Sequence, residues 1–78
     1  MDIKEFILKI EEEFTDLKPG ELKPESKFRE VFEWNSMNAL ILIALVSTEY
    51  DVTLNAEDLI KSIHVNDIYI IIESRINK

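Results

Sequence analysis

Ser36 is the residue of this chain whose type and position best fit a chemical role. It stands in the segment Trp34-Asn35-Ser36-Met37, either as the first residue of a helix capped by Asn35 or as a plain helix cap itself. The only histidine, His64, fits a cap or surface residue at another helix start better than a general base. We therefore do not expect Ser36 to be the nucleophile of a catalytic triad.

The remaining chemistry-bearing residues are acidic. Glu11, Glu12 and Glu13 with Asp16 could be taken for a metal cluster, but consecutive carboxylates on a helix point in different directions and match no calcium loop. We interpret them as a solvated helix face and predict no metal site. The chain has no cysteine, which excludes a disulfide scaffold, a thiolate zinc site and a cysteine nucleophile.

Composition and charge limit the class of protein. The 78 residues, 46% of them hydrophobic, predict a single domain over residues 1–78, at the small end of what can bury a core. Nine basic residues against sixteen acidic ones give 9 − 16 = −7, which repels phosphate backbones and anionic lipid. We expect no nucleic-acid or membrane partner. The charge either favours partners with basic patches or only keeps the protein soluble.

The sequence predicts neither a secretory signal nor a membrane-spanning helix. The start, Met1 to Glu5, has no basic region and no long apolar run, so we expect no secretory signal. The longest stretch without a charge, Trp34 to Thr48, contains several polar residues and is shorter than the roughly 20 apolar residues of a spanning helix. These features predict a soluble, cytoplasmic protein.

The first helix is predicted from a cap and a regular apolar spacing. Asp2 followed by Glu5 has the spacing of a capping box, and apolar residues then recur at helical intervals: Ile3, Phe6, Ile7, Ile10, Phe14 and Leu17. Lys18-Pro19-Gly20 should end this helix. A loop through Pro24 follows, and after it come the apolar residues Phe28, Val31 and Phe32, which we assign to the core.

Three further helices are predicted. The second spans Ser36 to Tyr50, with Asp51 and Asn55 marking its exit. Asn55 and Asp58 cap a short third helix that holds Leu59 and Ile60 and could extend to Ile63. Asn66 and Asp67 open the last, in which four isoleucines share one face: Ile68, Ile71, Ile72 and Ile76.

A small α/β domain is the structural alternative. The runs 40–43 and 68–72 are rich in β-branched residues and could be buried strands. The lengths and caps favour helices, as do the single glycine and the absence of a hairpin turn pair between the apolar runs. The prediction is an all-α fold.

Several segments together resemble the acyl carrier protein family, in its free-standing form. They are Phe28-Arg29-Glu30, Trp34-Asn35-Ser36-Met37, Leu42-Ile43-Ala44-Leu45, Glu49-Tyr50-Asp51-Val52 and His64-Val65-Asn66-Asp67. The usual signature is aspartate-serine-leucine at the start of the second helix, and a tryptophan-aspartate-serine-methionine version is similar to the segment found here. The chain departs from the family at Asn35, where aspartate is usual, and at Glu33, where glycine is common.

The resemblance implies a fold, a cofactor and a role. The fold would be an antiparallel four-helix bundle of three longer helices and one short helix. Ser36, flanked by Trp34, Asn35 and Met37, would carry a covalent 4′-phosphopantetheine attached by a phosphopantetheinyl transferase. The protein would not be an enzyme: it would deliver acyl thioesters to partner enzymes of fatty-acid, polyketide or related biosynthesis. Residues that could line an acyl cavity are Leu42, Ile43, Val46, Leu59 and Ile68.

The alternative to this role is an unmodified helical interaction module that shares the carrier fold. In either case, successive residues of the second helix are rotated by about 100°, and this rotation places its apolar residues on two faces. We assign Ala39, Leu42, Ile43, Val46 and Tyr50 to the core. We assign Met37, Ile41, Ala44 and Thr48 to the outside, with Leu40 nearby, as a partner-binding face. We expect a monomer that binds an apolar groove of its partner, with weak self-association through the same face as the alternative.

Overall fold

The computed structural model describes residues 2–15, 17–18, 20–31 and 33–76, and over these residues the fold is all-α. Its helices are α1 (Ile3–Glu13), α2 (Phe28–Val31), α3 (Ser36–Tyr50), α4 (Ala56–Lys61) and α5 (Val65–Ile76). The α/β alternative is wrong, because runs 40–43 and 68–72 lie inside α3 and α5. In the described ranges, no helix has both the length and the apolar character needed to cross a membrane.

Local capping sets the beginnings of three helices. The Asp2 carboxylate accepts a hydrogen bond from the Glu5 N–H at 3.0 Å, and Asn35 caps α3. At α4, Asn55 and Asp58 each accept from the other's backbone N–H, at 2.9 and 3.0 Å, which forms a complete capping box. The predicted starts of these three helices are therefore confirmed, whereas α5 begins at Val65, one residue before the predicted start.

The predicted end of α1 is wrong by about one turn. The helix ends at Glu13, and Phe14 is its C-cap, with its N–H donating to the Ile10 carbonyl at 2.9 Å. Leu17 is still buried, although it lies beyond the end of the helix, and its N–H donates to the Phe14 carbonyl at 2.9 Å. Gly20 has a φ of 84°, in the left-handed region that glycine adopts without strain. Asp16 and Pro19, which we had assigned to an acidic face and a helix stop, lie outside the described residues.

The one-turn helix α2 was not predicted. Its sequence, Phe28 to Val31, is too short to show a helical period. Phe28 is buried and Val31 packs against the core, as expected for both; Phe32 lies outside the described residues. The described residues thus form three longer helices, the predicted short helix α4 and this additional turn.

The core lies where α1, α3 and α5 pack on one another, and α4 packs against α5. Phe6 is fully buried and contacts two tyrosine rings, Tyr50 edge-on at 6.0 Å and Tyr69 at 6.2 Å between centroids. The buried apolar residues of the helices are Phe6, Ile7, Ile10, Phe28, Leu42, Val46, Leu59, Val65, Ile68, Tyr69 and Ile72. Burial of Tyr50 raises the pKa of its phenol, and its buried hydroxyl has no hydrogen-bond partner among the described residues.

An arginine from α5 ties down the start of α4. Arg75 donates to both carboxylate oxygens of Asp58, at 2.7 and 3.0 Å, and also to the Thr53 carbonyl at 2.8 Å. Such a two-bond arginine pair is stronger and more directional than a single ion pair. The Arg75 hydrogen bonds hold the pKa of Asp58 below its usual range.

This pair predicts a specific acid sensitivity. Because Asp58 has a lower pKa in the folded protein than in the unfolded chain, its stabilising contribution is present above the unfolded pKa and is lost as the pH falls through the folded pKa. We expect the difference in unfolding free energy between wild type and Asp58→Asn to be largest near neutral pH and to shrink as the pH falls below the ordinary range of a carboxyl group. Urea titrations at several pH values measure this difference. A difference that does not change with pH would contradict the prediction.

Candidate functional site

Ser36 is the first residue of α3, and Asn35 is the cap. The Asn35 side-chain oxygen accepts from the Asn38 N–H at 2.8 Å, and the Asn35 carbonyl accepts from the Ala39 N–H at 3.0 Å. The Ser36 side chain is exposed, and within the described ranges its hydroxyl forms no hydrogen bond. The interpretation of Ser36 as a plain cap is therefore wrong. The hydroxyl is accessible at a helix start, where the first N–H groups have no acceptor within the helix.

The loop that leads into α3 is fixed by contacts on both sides of the serine. The Asn38 amide donates to the Glu33 carbonyl at 2.5 Å, which ties the loop to the first turn of the helix. Trp34 packs edge-on against the buried Phe28 ring, with centroids 4.9 Å apart. The position of Ser36 is set by these neighbours and not only by α3.

A groove of about 310 Å³ opens beside Ser36, between the start of α3 and α4. The residues that line it come from both helices and from the preceding loop: Arg29, Trp34, Asn35, Ser36, Ala39, Ala56, Leu59 and Ile60. Most of these side chains are apolar, and Arg29 is the charged one among them. The groove could shelter a flexible group attached to the serine, with α4 as its far wall.

Arg29 joins α2 to the end of α4. Its guanidinium donates to the Ser62 carbonyl at 2.7 Å and to the Leu59 carbonyl at 2.5 Å. The same group lies 4.8 Å from the Phe28 ring centroid and 5.8 Å from that of Trp34. Arg29 belongs to one of the segments that resemble the carrier family, but the sequence predicts no role for it. Its acceptors lie about thirty residues further along, and no local pattern reveals them.

The residues predicted to lie on the outward face of α3 are exposed, apart from one. Met37 and Leu40 are 69% and 66% exposed, and Ala44 and Thr48 are exposed as well. Ile41, which we had assigned to this face, is partly buried and packs against the core. The reason is that α3 contacts both α1 and α5, so its buried arc is wider than the helical wheel suggested.

The residues predicted to face the core from α3 do so, and the two most central of them are fully buried. Leu42 and Val46 are buried, and Ala39, Ile43 and Tyr50 are partly buried against them. The five residues suggested for an acyl cavity are all core or core-contacting: Leu42, Ile43, Val46, Leu59 and Ile68. Of these, Leu59 lines the groove beside Ser36.

The other candidate residues have local structural contacts. Glu11 accepts from the Gly20 and Leu22 N–H groups at 3.0 and 3.3 Å, which joins α1 to the following loop. His64 precedes α5, and its Nδ1 lies 3.3 Å from Asp67, whose carboxylate also accepts from the His64 N–H. This backbone hydrogen bond and a second one from the Ile63 N–H lower the pKa of Asp67. In the part of the chain that is described, no group of three or more histidine or acidic residues is placed to hold a metal ion.

Compared with protein-family models, with curated proteins and with solved structures, the chain matches none.

The geometry at Asn35 predicts how this position tolerates change. Asn35→Ala removes the acceptor of the Asn38 N–H, and we expect it to cost about 1 kcal/mol of unfolding free energy. Asn35→Asp keeps an acceptor in the same place, so we expect nearly unchanged stability. Urea unfolding of the two variants and the wild type tests both expectations. Equal stability of Asn35→Ala and wild type would mean that the cap contributes nothing.

Proposed function

We propose that this protein is an acyl carrier, with Ser36 as the attachment point of a 4′-phosphopantetheine arm. The observation that carries the proposal is the exposed Ser36 hydroxyl at the start of a fifteen-residue helix, free of the capping role and open to a groove. The sequence resemblance and the order of the helices support it. The architecture we propose is the antiparallel bundle of α1, α3, α4 and α5, with α2 as an added turn.

The local charges favour the product of such a modification. The phosphodiester formed on Ser36 would lie at the positive end of the α3 dipole, which typically stabilises an anion by about 0.3–1 kcal/mol. The first turn of α3 has no acidic residue. The phosphate would therefore meet unpaired N–H groups and no neighbouring carboxylate in that turn.

A separate phosphopantetheinyl transferase would carry out the attachment. Ser36 Oγ would attack the phosphorus of the pantetheine phosphate in coenzyme A, its proton would pass to a base of the transferase, and the nucleotide part would leave. The thiol at the end of the arm then supplies the thioester that a chain without cysteine cannot form. The protein itself is not proposed to be an enzyme, because its role is to deliver a tethered acyl group at high effective concentration.

The uncharged side chain of Asn35 should slow the modification of Ser36. Asparagine caps the helix as aspartate does but has no charge, so any contact with a basic transferase or with the metal ion of the family's modification reaction would be weaker. We propose that wild type is modified more slowly than Asn35→Asp. The cap geometry of the two is expected to be the same.

We propose that partner enzymes dock on the outward face of α3 through an apolar patch. No charged residue occurs between Glu33 and Glu49, although the chain carries a net charge of −7. Met37 and Leu40 project from this face next to Ser36, and Ile60 on α4 is 73% exposed at the groove. A basic docking site would find no carboxylate here to pair with. The partner surface that fits this face is therefore itself apolar.

The second candidate function is an unmodified interaction module with the same fold. The exposed apolar residues of α3 fit an interaction module as well as they fit an acyl carrier, because docking does not require the arm. Modification of Ser36 separates the two candidates.

Incubation with coenzyme A and a permissive phosphopantetheinyl transferase tests the attachment. We expect wild type to gain the mass of one phosphopantetheine and Ser36→Ala to gain none, as measured by intact-protein mass spectrometry. Ser47→Ala is the matched control, because Ser47 is another exposed serine of α3 and should not affect labelling. Labelling that survives in Ser36→Ala would overturn the assignment, and no labelling of the wild type would favour the interaction module.

Substitution of Leu40 tests the docking face. We expect Leu40→Glu to weaken partner binding while leaving the fold intact, because 66% of the side chain is exposed. Ile70→Glu, the same kind of change at an exposed position of α5, is the control and should bind normally. Ile41→Glu is unsuitable, because Ile41 contacts the core.

Salt titration of the same complex gives a second readout. Wild-type binding should change little between low and moderate salt, since apolar contacts are not screened. Strong salt dependence would contradict an apolar partner surface. Concentration-dependent dimerisation that Leu40→Glu abolishes would instead show that the face binds a second copy of this chain.

A further inference from the structure

The groove beside Ser36 depends on a helix that cannot be stable by itself. The far wall belongs to α4, which has six residues, whereas isolated helices shorter than about 12–15 residues are marginal in water. At its first turn α4 is held by the capping box and by Arg75. At its last turn the Leu59 and Ser62 carbonyls accept from Arg29.

We propose that Arg29 is a positioning residue that fixes α4 across the groove from Ser36 and so determines the shape of the space available to the arm. Arg29 lines the groove itself and connects its two sides: the Phe28 and Trp34 rings on one, the α4 carbonyls on the other. The inference rests on the proposed function, since it assigns this groove to the group carried by Ser36.

The chemistry of the contact requires arginine. A planar guanidinium can donate to two carbonyls at once while stacking on an aromatic ring, and a lysine ammonium has neither the fork nor the plane. The accepting carbonyls lie at the negative end of α4, where a cation is favoured. Arg29 is exposed, so these bonds can be weakened without removing a buried core residue. Loss of the contact should therefore loosen α4 locally and leave the core of α1, α3 and α5 in place.

The first experiment compares Arg29→Lys with Lys23→Arg, an exchange of the same two residue types at an exposed position that does not line the groove. Amide hydrogen exchange should be about tenfold faster near Leu59 and Ser62 in Arg29→Lys, with core amides of α3 and α5 unchanged. Trp34 is the only tryptophan, so acrylamide quenching of its fluorescence reports on this side of the groove. Quenching should increase in Arg29→Lys and stay at the wild-type level in Lys23→Arg. Unchanged exchange at α4, or equal acceleration throughout the protein, would overturn the proposal.

The second experiment places a reporter on the arm. Ser36 is loaded with a coenzyme A derivative that carries an environment-sensitive fluorophore, and the emission of the two variants is compared with wild type. We expect a red shift, meaning greater exposure to water, in Arg29→Lys and none in Lys23→Arg. Loaded proteins with identical emission would overturn the role of Arg29 in shaping the groove. If wild type is not loaded at all, the proposed function is overturned, while hydrogen exchange and Trp34 quenching still decide whether Arg29 positions α4.

Discussion

A six-residue helix forms one wall of the candidate site, and its ends must be held from outside because so short a helix has little stability of its own. Asp58 serves two purposes at the first turn, as part of the capping box and as the acceptor of Arg75. Arg29 holds the last turn. By contrast, α3 is anchored by Leu42 and Val46 in the main core. The serine therefore stands on the helix with more buried residues. The opposite wall places Leu59 in the core and depends at both ends on hydrogen bonds near the surface, which open locally more readily than core packing.

The distribution of charge is uneven in a way that suits an anionic modification. The chain is strongly acidic, yet the first turn of α3 has no acidic residue and the nearby groove contains one cation, Arg29. An aspartate at position 35 would bring a carboxylate next to any phosphate on Ser36. Asn35 makes the same capping hydrogen bond without that repulsion. If Ser36 carries the arm, asparagine at position 35 would give up a contact that could assist the attachment and would provide a more favourable environment for the phosphate afterwards.

Sequence analysis succeeded where the determining interaction is local. Asn35 with Asn38 and Asn55 with Asp58 are separated by three residues, and their side-chain types alone predict the caps. It failed where distant contacts decide. The turn of α2 owes its position to Phe28 in the core and to contacts of Arg29 with α4, and neither is visible as a local period. Ile41 was misplaced because the width of the buried arc of α3 depends on two neighbouring helices. The groove could not be predicted for the same reason, since its walls come from α3, α4 and the loop before α3.

Among the five serines, Ser36 has the strongest structural support as the site of the proposed attachment. Three of their side chains have structural hydrogen bonds: Ser26 Oγ accepts from the Lys23 N–H at 2.9 Å, Ser62 donates to the Asp58 carbonyl at 2.9 Å, and Ser74 donates to the Ile71 carbonyl at 2.8 Å. Among the described residues, the hydroxyls of Ser36 and Ser47 form none. Ser47 lies inside α3, where backbone N–H groups are already bonded within the helix and cannot turn toward an anion. Ser36 lies at the helix start, where unpaired N–H groups and the dipole favour a phosphate. Because Asn35 performs the capping, attachment at Ser36 would break no existing hydrogen bond of its hydroxyl, and α3 would remain capped while carrying the arm.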